Sequence, residues 1–412
     1  MQTKEIENEI RKQRGLQIAQ TCQIIKRQSG DYVVPSQSGN GAYIVGKAEA
    51  GNLACDCPDY EHVFPMGVKC KHIWAVEVKT NKKLRADGST TTVQTIRVSY
   101  PQNWSAYDYA KTHEKELFQK LLYDLCQSIE NPEYKFGRPT LPLSDMVFSS
   151  ALKVYTTFSL RRFMSDMQIA KEKGYIDKVP YYTSVARYME NPELTPLLLK
   201  LIISSATPLK SIETDFAVDS SGFSTCRFDR WFSFKYGREV NSKIWLKAHV
   251  ISGVKTNIVA GVKITKSFSH DTKEFPDLVT ETAKTFTIKE VSADKAYLSR
   301  KNIKLVDKLG ARSYIPFKEN TSGKAKGSLL WTKMYFFFMC NRAEFLQHYH
   351  KRSNVETTFH MIKSKFGDSL RSKTKTAQIN EALLKILCHN ICVVIQEMQE
   401  LGIEANFAKG LS

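Results

Sequence analysis

The sequence predicts a mixed α/β protein with three parts: an α/β sheet domain in the second half of the chain, an all-α helical region before it, and a small ββα module near the amino terminus. From residue 211 onward, apolar segments follow the order strand, strand, strand, helix, strand, helix, strand, helix. Between residues 143 and 189, apolar residues recur at helical spacing. Near the amino terminus, two short β-rich runs precede the pattern C-x-C, twelve residues, C-x-H.

Length and charge set the limits of this interpretation. A chain of 412 residues is long enough for about two to three domains. We predict a region with the ββα module at 1–90, a linker with helices at 91–210, the sheet domain at 211–376 and a C-terminal helical tail at 377–412. The net charge of +18, from 60 Lys and Arg against 42 Asp and Glu, favours a polyanionic partner.

Several classes of protein lack support in the sequence. The apolar runs are shorter than a bilayer span and the first residues lack a secretory signal, so we expect a cytoplasmic protein without a transmembrane helix. Nine cysteines without a regular framework fit a reducing compartment. Those expected to be ordinary buried residues are Cys126, Cys226, Cys340, Cys388 and Cys392. The nucleotide motif G-x-x-x-x-G-K-[ST] and the hydrolase motif G-x-S-x-G are both missing.

The C-x-C and C-x-H pairs offer the ligands Cys55, Cys57, Cys70 and His72. Three thiolates and an imidazole form the closed tetrahedral set that structural zinc prefers. The runs D-Y-V-V-P-S and A-Y-I-V-G flank a Gly-Asn-Gly turn, which predicts a hairpin, and I-W-A-V-E-V after His72 predicts a helix packed on it. The alternatives are three buried cysteines with a surface histidine, or His62 as a ligand, which leaves His72 unexplained.

This spacing resembles the SWIM zinc finger, in which C-x-C lies on a strand and C-x-H opens a helix. The resemblance implies one structural Zn²⁺ per chain and a partner that is either DNA or protein. The four ligands do not distinguish between these two partners.

Three helices are predicted between residues 143 and 189. The first is capped by Ser144 or Asp145 and extends to Phe158, the second runs from Leu160 to a stop at Gly174, and the third starts near Thr183. One interpretation is a helix-turn-helix unit. Its candidate phosphate contacts are Arg161, Arg162, Lys171, Lys173 and Arg187. The other is a helical bundle that packs under the sheet domain.

The candidate catalytic residues are three carboxylates on separate elements. Asp219 and Asp294 end the apolar runs F-A-V-D and V-S-A-D, and Glu356 belongs to the pattern Y-x2-R-x3-E-x6-K. At 3.6 residues per turn, its four residues lie within about 60° of one another on a helix. Three such carboxylates suit a two-metal site for phosphoryl transfer. The alternative is an exposed helix with an incidental ion pair between Arg352 and Glu356.

These residues resemble the DDE transposases of bacterial and archaeal insertion sequences that carry the Tyr-Arg-Glu-Lys signature, over about residues 211 to 370. The resemblance implies a ribonuclease H-like sheet whose first and fourth strands are neighbours. Asp219, Asp294 and Glu356 would then hold two Mg²⁺ ions, or Mn²⁺ in their place. Tyr349, Arg352 and Lys363 would contact DNA phosphates. The basic track would continue through Lys365 and Lys373.

The function implied is a DNA transposase that binds element ends, cleaves the phosphodiester backbone and joins 3′-hydroxyl ends to target DNA. Its partners would be double-stranded DNA, as element ends and as target, and a second copy of the chain at synapsis. Neither a membrane nor a nucleotide cofactor is expected, and the protein would act on the nucleoid in the cytoplasm. The alternatives are a domesticated, non-catalytic DNA-binding protein and a plain metal-dependent nuclease.

Overall fold

The computed structural model describes residues 2–27, 29–36, 41–47, 52–66, 68–84, 90–94, 103–132, 136, 140–225, 245–323, 328–405 and 407. The chain divides into two compact units, Met1–Pro101 and Gln102–Ser412.

The first unit contains a four-stranded antiparallel sheet in the order β1-β2-β3-β4 and two main helices. Its elements are α1 (Gln2–Thr21), β1 (Ile25–Lys26), β2 (Tyr32–Pro35), β3 (Ala42–Lys47), β4 (Leu53–Cys55), α2 (Pro58–Val63), α3 (Lys71–Lys79), β5 (Thr80–Leu84) and β6 (Thr90–Gln94). The predicted hairpin is present, with Val33 of β2 opposite Ile44 of β3. Most of its predicted turn, at 37–40, lies outside the described residues.

The helix α1 packs against α3 at a very close approach, which the sequence analysis did not predict. A Cβ atom on Gly15 would lie 2.5 Å from Cβ of Trp74 and 2.7 Å from the Lys71 carbonyl oxygen. Only glycine therefore fits at this crossing. Arg11 on α1 also pairs with Asp59 at 3.2 Å, which ties the helix to the segment between the two cysteine pairs.

The second unit is built on a five-stranded sheet in the order β11-β10-β7-β8-β9. The strands are β7 (Asp215–Ser224), β8 (Trp245–Gly253), β9 (Val259–Lys266), β10 (Glu290–Ala293) and β11 (Arg312–Tyr314). β8 is antiparallel to both of its neighbours, β7 and β9, whereas β10 runs parallel to both β7 and β11. The predicted order of strands and helices after residue 211 is thus present.

Helices of the second unit surround this sheet. Those before it are α4 (Trp104–Thr112), α5 (Glu114–Cys126), α6 (Leu143–Thr156), α7 (Met164–Glu172), α8 (Tyr182–Met189) and α9 (Leu194–Ala206). Those that follow are α10 (Asp271–Thr285), α11 (Arg300–Lys308), α12 (Leu329–Cys340), α13 (Arg342–Tyr349), α14 (Ser353–Phe366) and α15 (Lys375–Glu400). A 3-10 turn, His350–Arg352, connects α13 to α14.

Successive residues of β7 face opposite sides of the sheet, and each side has its own helix. On one side Phe216 meets Phe286 at the end of α10, with ring centroids 5.4 Å apart. On the other side the side chain of Ser221 accepts a hydrogen bond from Lys363 on α14. Asp219 lies on the same side as Ser221 because the two are separated by two positions.

The helices α6 to α9 share one hydrophobic core with the sheet, as the bundle alternative predicts. Val147, Val185 and Leu198 are all fully buried in it. Three of the predicted boundaries were wrong. α6 begins at Leu143 after Pro142, so neither Ser144 nor Asp145 is its cap. α6 ends at Thr156, because Thr157 takes the left-handed conformation (φ 55°) and leaves Phe158 45% exposed. α7 begins at Met164 rather than near Leu160.

The predicted C-terminal tail is in fact a central helix. α15 has 26 residues and enough hydropathy to span a membrane, but 89% of its most apolar stretch is buried inside the protein. Asn390 fixes it to two other elements: its side-chain amide donates to the carbonyl oxygens of Ile202 (3.1 Å) and Val259 (2.8 Å) and accepts from the Val259 amide (2.9 Å). A helix covered on nearly all sides explains its almost continuous apolar sequence.

Candidate functional site

The four predicted zinc ligands converge in the first unit. Cys55 ends β4, Cys57 precedes α2, Cys70 precedes α3 and His72 lies in its first turn. Their ligand atoms all lie within 4.8 Å of one another, and all four residues are buried. The Nε2 atom of His72 has no hydrogen-bond partner among the described residues, although it is buried. His62, the alternative ligand, is exposed on α2.

The chemistry of this cluster fits a zinc ion. Hydrogen bonds from the thiols of Cys55 and Cys70 hold the pKa of Cys57 far below its usual range. The contact with Cys57, together with burial, raises the pKa of Cys55 far above the usual value for a cysteine thiol. One thiolate is therefore stable without help, and further thiolates need a cation. Cys55, Cys57, Cys70 and His72 would hold a tetrahedral Zn²⁺, which offers that charge.

In the second unit, Asp219 and Asp294 are placed side by side by the register of two parallel strands. β7 and β10 pair from Asp215 opposite Glu290 through Val218 opposite Ala293. Asp219 and Asp294 are the next residues on each strand, and neighbouring strands lie about 4.8 Å apart. β10 ends there as predicted, but β7 continues through Asp219 to Ser224.

Both aspartates are held by backbone amides. Asp219 accepts a hydrogen bond from the amide of Ser220 at 2.8 Å, and Asp294 accepts one from Lys295 at 2.7 Å. Burial raises the pKa of Asp219, and the carboxylates of Glu356 and Asp294 raise it further against the opposing effects of Ser220 and Arg352. Asp219 thus lies close enough to both Glu356 and Asp294 to be influenced by their charges.

Arg352 lies between two of these carboxylates. It donates to Oδ2 of Asp219 at 2.6 Å and also to Oε1 of Glu356. Burial disfavours the charge of Arg352, but Asp219 and Glu356 outweigh it and raise the pKa of the guanidinium. Glu356 itself is 56% exposed, one turn into α14. The ion pair between Arg352 and Glu356, which could have been incidental on an exposed helix, therefore also connects α14 to Asp219 on the sheet.

The other predicted DNA contacts differ in how they are placed. Lys363 donates to the Ser221 hydroxyl at 2.7 Å, and burial lowers its pKa. Lys365 pairs with Glu114 on α5 and donates to the sulfur of Cys392 at 3.2 Å. Lys373 is exposed, and Tyr349 is partly buried beside an aromatic cluster. Lys373 is thus the most accessible of the three predicted lysines.

A second acidic pair lies on the same two strands and was missed by sequence reasoning. Asp215 and Glu290 are opposite each other, and Lys351 donates to both, at 2.6 and 2.7 Å. His348 lies 2.9 Å from Glu290 and stacks on Tyr314. The signal that could have shown the pair is the matching spacing of D-F-A-V-D and E-V-S-A-D, since residues four apart share a strand face.

Two buried charges on α15 also escaped sequence reasoning. Glu381 accepts hydrogen bonds from the amides of Arg371 (3.0 Å) and Ser372 (2.8 Å). Lys385 donates to the carbonyl oxygens of Gly367 (2.9 Å) and Ser369 (2.8 Å), and burial lowers its pKa to about 8. These bonds hold the segment that follows α14 and leads to Lys373.

Asp271, the first residue of α10, lies on the opposite side of the sheet from Asp219. Its carboxylate accepts from the Ser220 hydroxyl at 3.1 Å and pairs with Lys247 at 2.5 Å. Ser220 and Asp219 are consecutive on β7 and therefore face opposite ways. Asp271 remains outside the carboxylate site.

The carboxylate site is less compact than the zinc cluster. Within the described part of the chain, only the cysteine-histidine group brings three or more candidate metal ligands within 4.8 Å of one another. Asp219, Asp294 and Glu356 offer the oxygen atoms that Mg²⁺ and Mn²⁺ prefer. The donor set therefore fits these ions, but Arg352 occupies one oxygen of Asp219 and one of Glu356.

Two family models match the chain. Residues 210–391 match the Transposase DDE domain, and residues 47–81 match the SWIM zinc finger. No curated protein and no solved structure matched the chain. The domain match covers all five strands of the larger sheet, the helices α10 to α14 and the first part of α15, and the finger match covers the four cysteine and histidine ligands. Both resemblances inferred from the motifs are thereby confirmed.

Proposed function

We propose that this chain, which carries a transposase DDE domain and an amino-terminal SWIM zinc finger, is an active transposase that cleaves DNA at element ends and joins them to a target. The observation that carries the proposal is the placement of Asp219 and Asp294 side by side in the register of two parallel strands, on the face that α14 covers. Glu356 on that helix completes the set.

The sheet supports a ribonuclease H-like fold for this domain. Its first three strands are antiparallel, its first and fourth are parallel neighbours, and the fifth extends the parallel side. This is the arrangement expected from the family resemblance. In such a fold, Asp219 on the first strand and Asp294 after the fourth would be the two catalytic aspartates.

The chemistry needs charge and position from the protein. Mg²⁺ or Mn²⁺, when held by Asp219, Asp294 and Glu356, supplies a Lewis acid for phosphoryl transfer. In the cleavage step, a water oxygen bonds to phosphorus, the bond from phosphorus to the 3′ oxygen breaks, and that oxygen takes up a proton. In the joining step, the 3′-hydroxyl attacks a target phosphate and frees a target 3′-hydroxyl. Each step exchanges one P–O bond for another.

The cations around the carboxylates would hold the DNA backbone. Arg352 can bind two phosphate oxygens at once, and Lys363 lies on the same face of α14. Lys373 extends this basic track on an exposed segment, while Lys365 and Tyr349 border it. The zinc module would add a contact to DNA or to a second copy of the chain, and synapsis of two ends requires self-association. The protein would act on nucleoid DNA in the cytoplasm.

The experiment is an assay of single variants for Mg²⁺-dependent nicking and joining on DNA that carries the element's ends. Asp219→Asn, Asp294→Asn and Glu356→Gln should each abolish cleavage and largely retain DNA binding, because each removes charge without removing volume. Glu344→Gln, an exposed carboxylate on α13, is the matched control. Cleavage without joining by the unmodified protein would indicate a plain nuclease. Full activity in all three variants, or no cleavage by the unmodified protein, would refute the proposal.

A further inference from the structure

Two consecutive cations on one turn each join two carboxylates, and at least one carboxylate of each pair lies on the sheet. Lys351 bonds to Asp215 and Glu290, and Arg352 bonds to Asp219 and to Glu356 on α14. Asp215 and Asp219 are four residues apart on β7 and therefore share one face of the sheet. The turn His350–Arg352 therefore delivers one cation to each.

The two ion clusters differ in how firmly they are closed. Lys351, Asp215 and Glu290 are all at most 30% exposed, and His348 lies 2.9 Å from Glu290 on the other side. Arg352 is 20% exposed, but its partner Glu356 is 56% exposed. Since solvent and salt weaken exposed ion pairs, the pair of Arg352 with Glu356 is the easier one to exchange.

Arg352 uses the oxygen atoms that a divalent cation would need. Oδ2 of Asp219 accepts from it at 2.6 Å, and Oε1 of Glu356 accepts from its other terminal nitrogen. Asp219, Asp294 and Glu356 carry three negative charges when ionised, and Arg352 offsets one of them. Without this cation, mutual repulsion of the carboxylates would be larger.

We propose that Arg352 is an exchangeable internal counter-ion: it leaves Asp219 and Glu356 when a divalent cation binds, and its freed guanidinium pairs with a DNA phosphate. This inference rests on the proposed function of the carboxylate site and adds a coupling between the binding of the divalent cation and the binding of DNA. Arg352 opposes the cation in the absence of DNA. A phosphate that captures Arg352 removes this opposition, and by reciprocity the cation raises the affinity for DNA.

The consequence is a site whose negative charge is partly offset by Arg352 in the absence of DNA, and which binds metal most tightly when DNA is present. Guanidinium suits this exchange because its planar fork matches a carboxylate pair and a phosphate equally well. Lys351 shows the contrasting arrangement, in which a cation stays with its two carboxylates.

The test is a calorimetric titration of Mn²⁺ into the full, zinc-loaded chain without DNA. Arg352→Gln should bind Mn²⁺ about tenfold more tightly than the unmodified chain, which is within the usual range of coupling between sites. Lys351→Gln should leave the affinity unchanged, because its partners do not hold the cation. Asp219→Asn should remove the binding and so assign it to this site.

A second arm adds a short DNA duplex. In the unmodified chain, duplex should tighten Mn²⁺ binding, and in Arg352→Gln this effect should largely disappear. Thermal unfolding checks that each variant is folded. If Arg352→Gln is unstable, Arg352→Lys replaces it, since lysine lacks the second nitrogen that reaches Glu356 and should also bind Mn²⁺ more tightly.

The inference would be overturned if a folded Arg352 variant bound Mn²⁺ no more tightly than the unmodified chain. It would also be overturned if DNA did not change the Mn²⁺ affinity of the unmodified chain. These outcomes are separate from those of the cleavage assay. If the unmodified chain cleaves DNA but Arg352→Gln has an unchanged Mn²⁺ affinity, the proposed function stands and the counter-ion inference fails. If the unmodified chain does not cleave DNA but Arg352→Gln binds Mn²⁺ more tightly, the counter-ion inference stands and the proposed function fails.

Discussion

Asp219 follows the last residue of β7 that pairs with β10, and Asp294 follows the last residue of β10, so the two carboxylates are neighbours by strand register. The pairing between Val218 and Ala293 therefore determines their distance. A shift of one residue would turn one carboxylate to the opposite face, toward Asp271. Packing of the apolar residues F-A-V against both helix layers holds this register and thus holds the site.

We expect zinc to be lost when one ligand is removed. The unmodified chain should contain one Zn²⁺, and Cys57→Ser should contain much less, because three remaining ligands leave the tetrahedral set open. Cys340→Ser is the control, since Cys340 is exposed, contrary to its predicted burial, and lies far along the sequence. Elemental analysis of the purified chains measures the metal. Equal zinc in Cys57→Ser and the unmodified chain would remove Cys57 from the site.

Lys373→Gln should weaken binding to all DNA sequences alike. Because Lys373 is exposed on the basic track, its loss should reduce the slope of log K against log salt by about 0.9, the value for one B-DNA phosphate contact. Lys365→Gln should instead lower stability, since it removes the nearer of the two cations that pair with the buried Glu114. Lys284→Gln on α10 is the control for a lost surface charge. An unchanged salt slope in Lys373→Gln would place that residue outside the DNA track.

Gly15→Ala should destabilise the first unit by about 1–3 kcal/mol, the usual cost of overpacking. The added methyl group would meet Trp74 and the Lys71 carbonyl at the crossing of α1 and α3. Gly41→Ala is the control, because a Cβ atom there meets nothing within 4 Å. Thermal unfolding followed by scanning calorimetry compares the two variants with the unmodified chain. A variant as stable as the control would mean that α1 can move away from α3 at little cost.

Stability should depend on pH through Glu397. Burial, with the carboxylates of Glu400 and Glu213 nearby, raises the pKa of Glu397 to about 7 from an ordinary value of 4.5. A raised pKa favours the folded state while the group is protonated, so this contribution is complete below pH 4.5 and is lost as the pH rises through 7. Glu397→Gln should therefore stabilise the protein at pH 8 and have little effect at pH 4.5.

Urea unfolding at the two pH values measures this difference, with Glu130→Gln, an exposed carboxylate, as the control. The gain at pH 8 should be about 1–3 kcal/mol, since each unit of pKa corresponds to about 1.4 kcal/mol. A gain of equal size at both pH values would show that the charge of Glu397 is not the cause.

The features that could be predicted from the sequence are those that depend on residues close together in the chain. The hairpin of β2 and β3, the order of strands after residue 211 and the convergence of Cys55, Cys57, Cys70 and His72 all follow from short-range spacing. The helix α1 was missed, because its polar sequence buries only a narrow stripe around Gly15 and Ile18 against α3.

Features that depend on register or on distant contacts could not be predicted in the same way. The Lys351 cluster needs Asp215 and Glu290 to be opposite each other, which only the pairing of β7 with β10 establishes. The basic track was predicted from composition, but composition does not show that Lys365 pairs with Glu114, 251 residues away. The roles assigned to Asp219, Asp294, Glu356 and the DNA contacts stay predictions for the assays above.

The position of α15 has a consequence for synthesis on the ribosome. Asn390 bonds to α9 and β9, and Glu381 and Lys385 hold the segment after α14, so the core that supports the carboxylates is closed by residues near the end of the chain. A nascent chain that has already released the zinc module must wait for about a further 300 residues before that core can form. A product truncated before residue 375 would lack this closing helix and should be cleared by proteases.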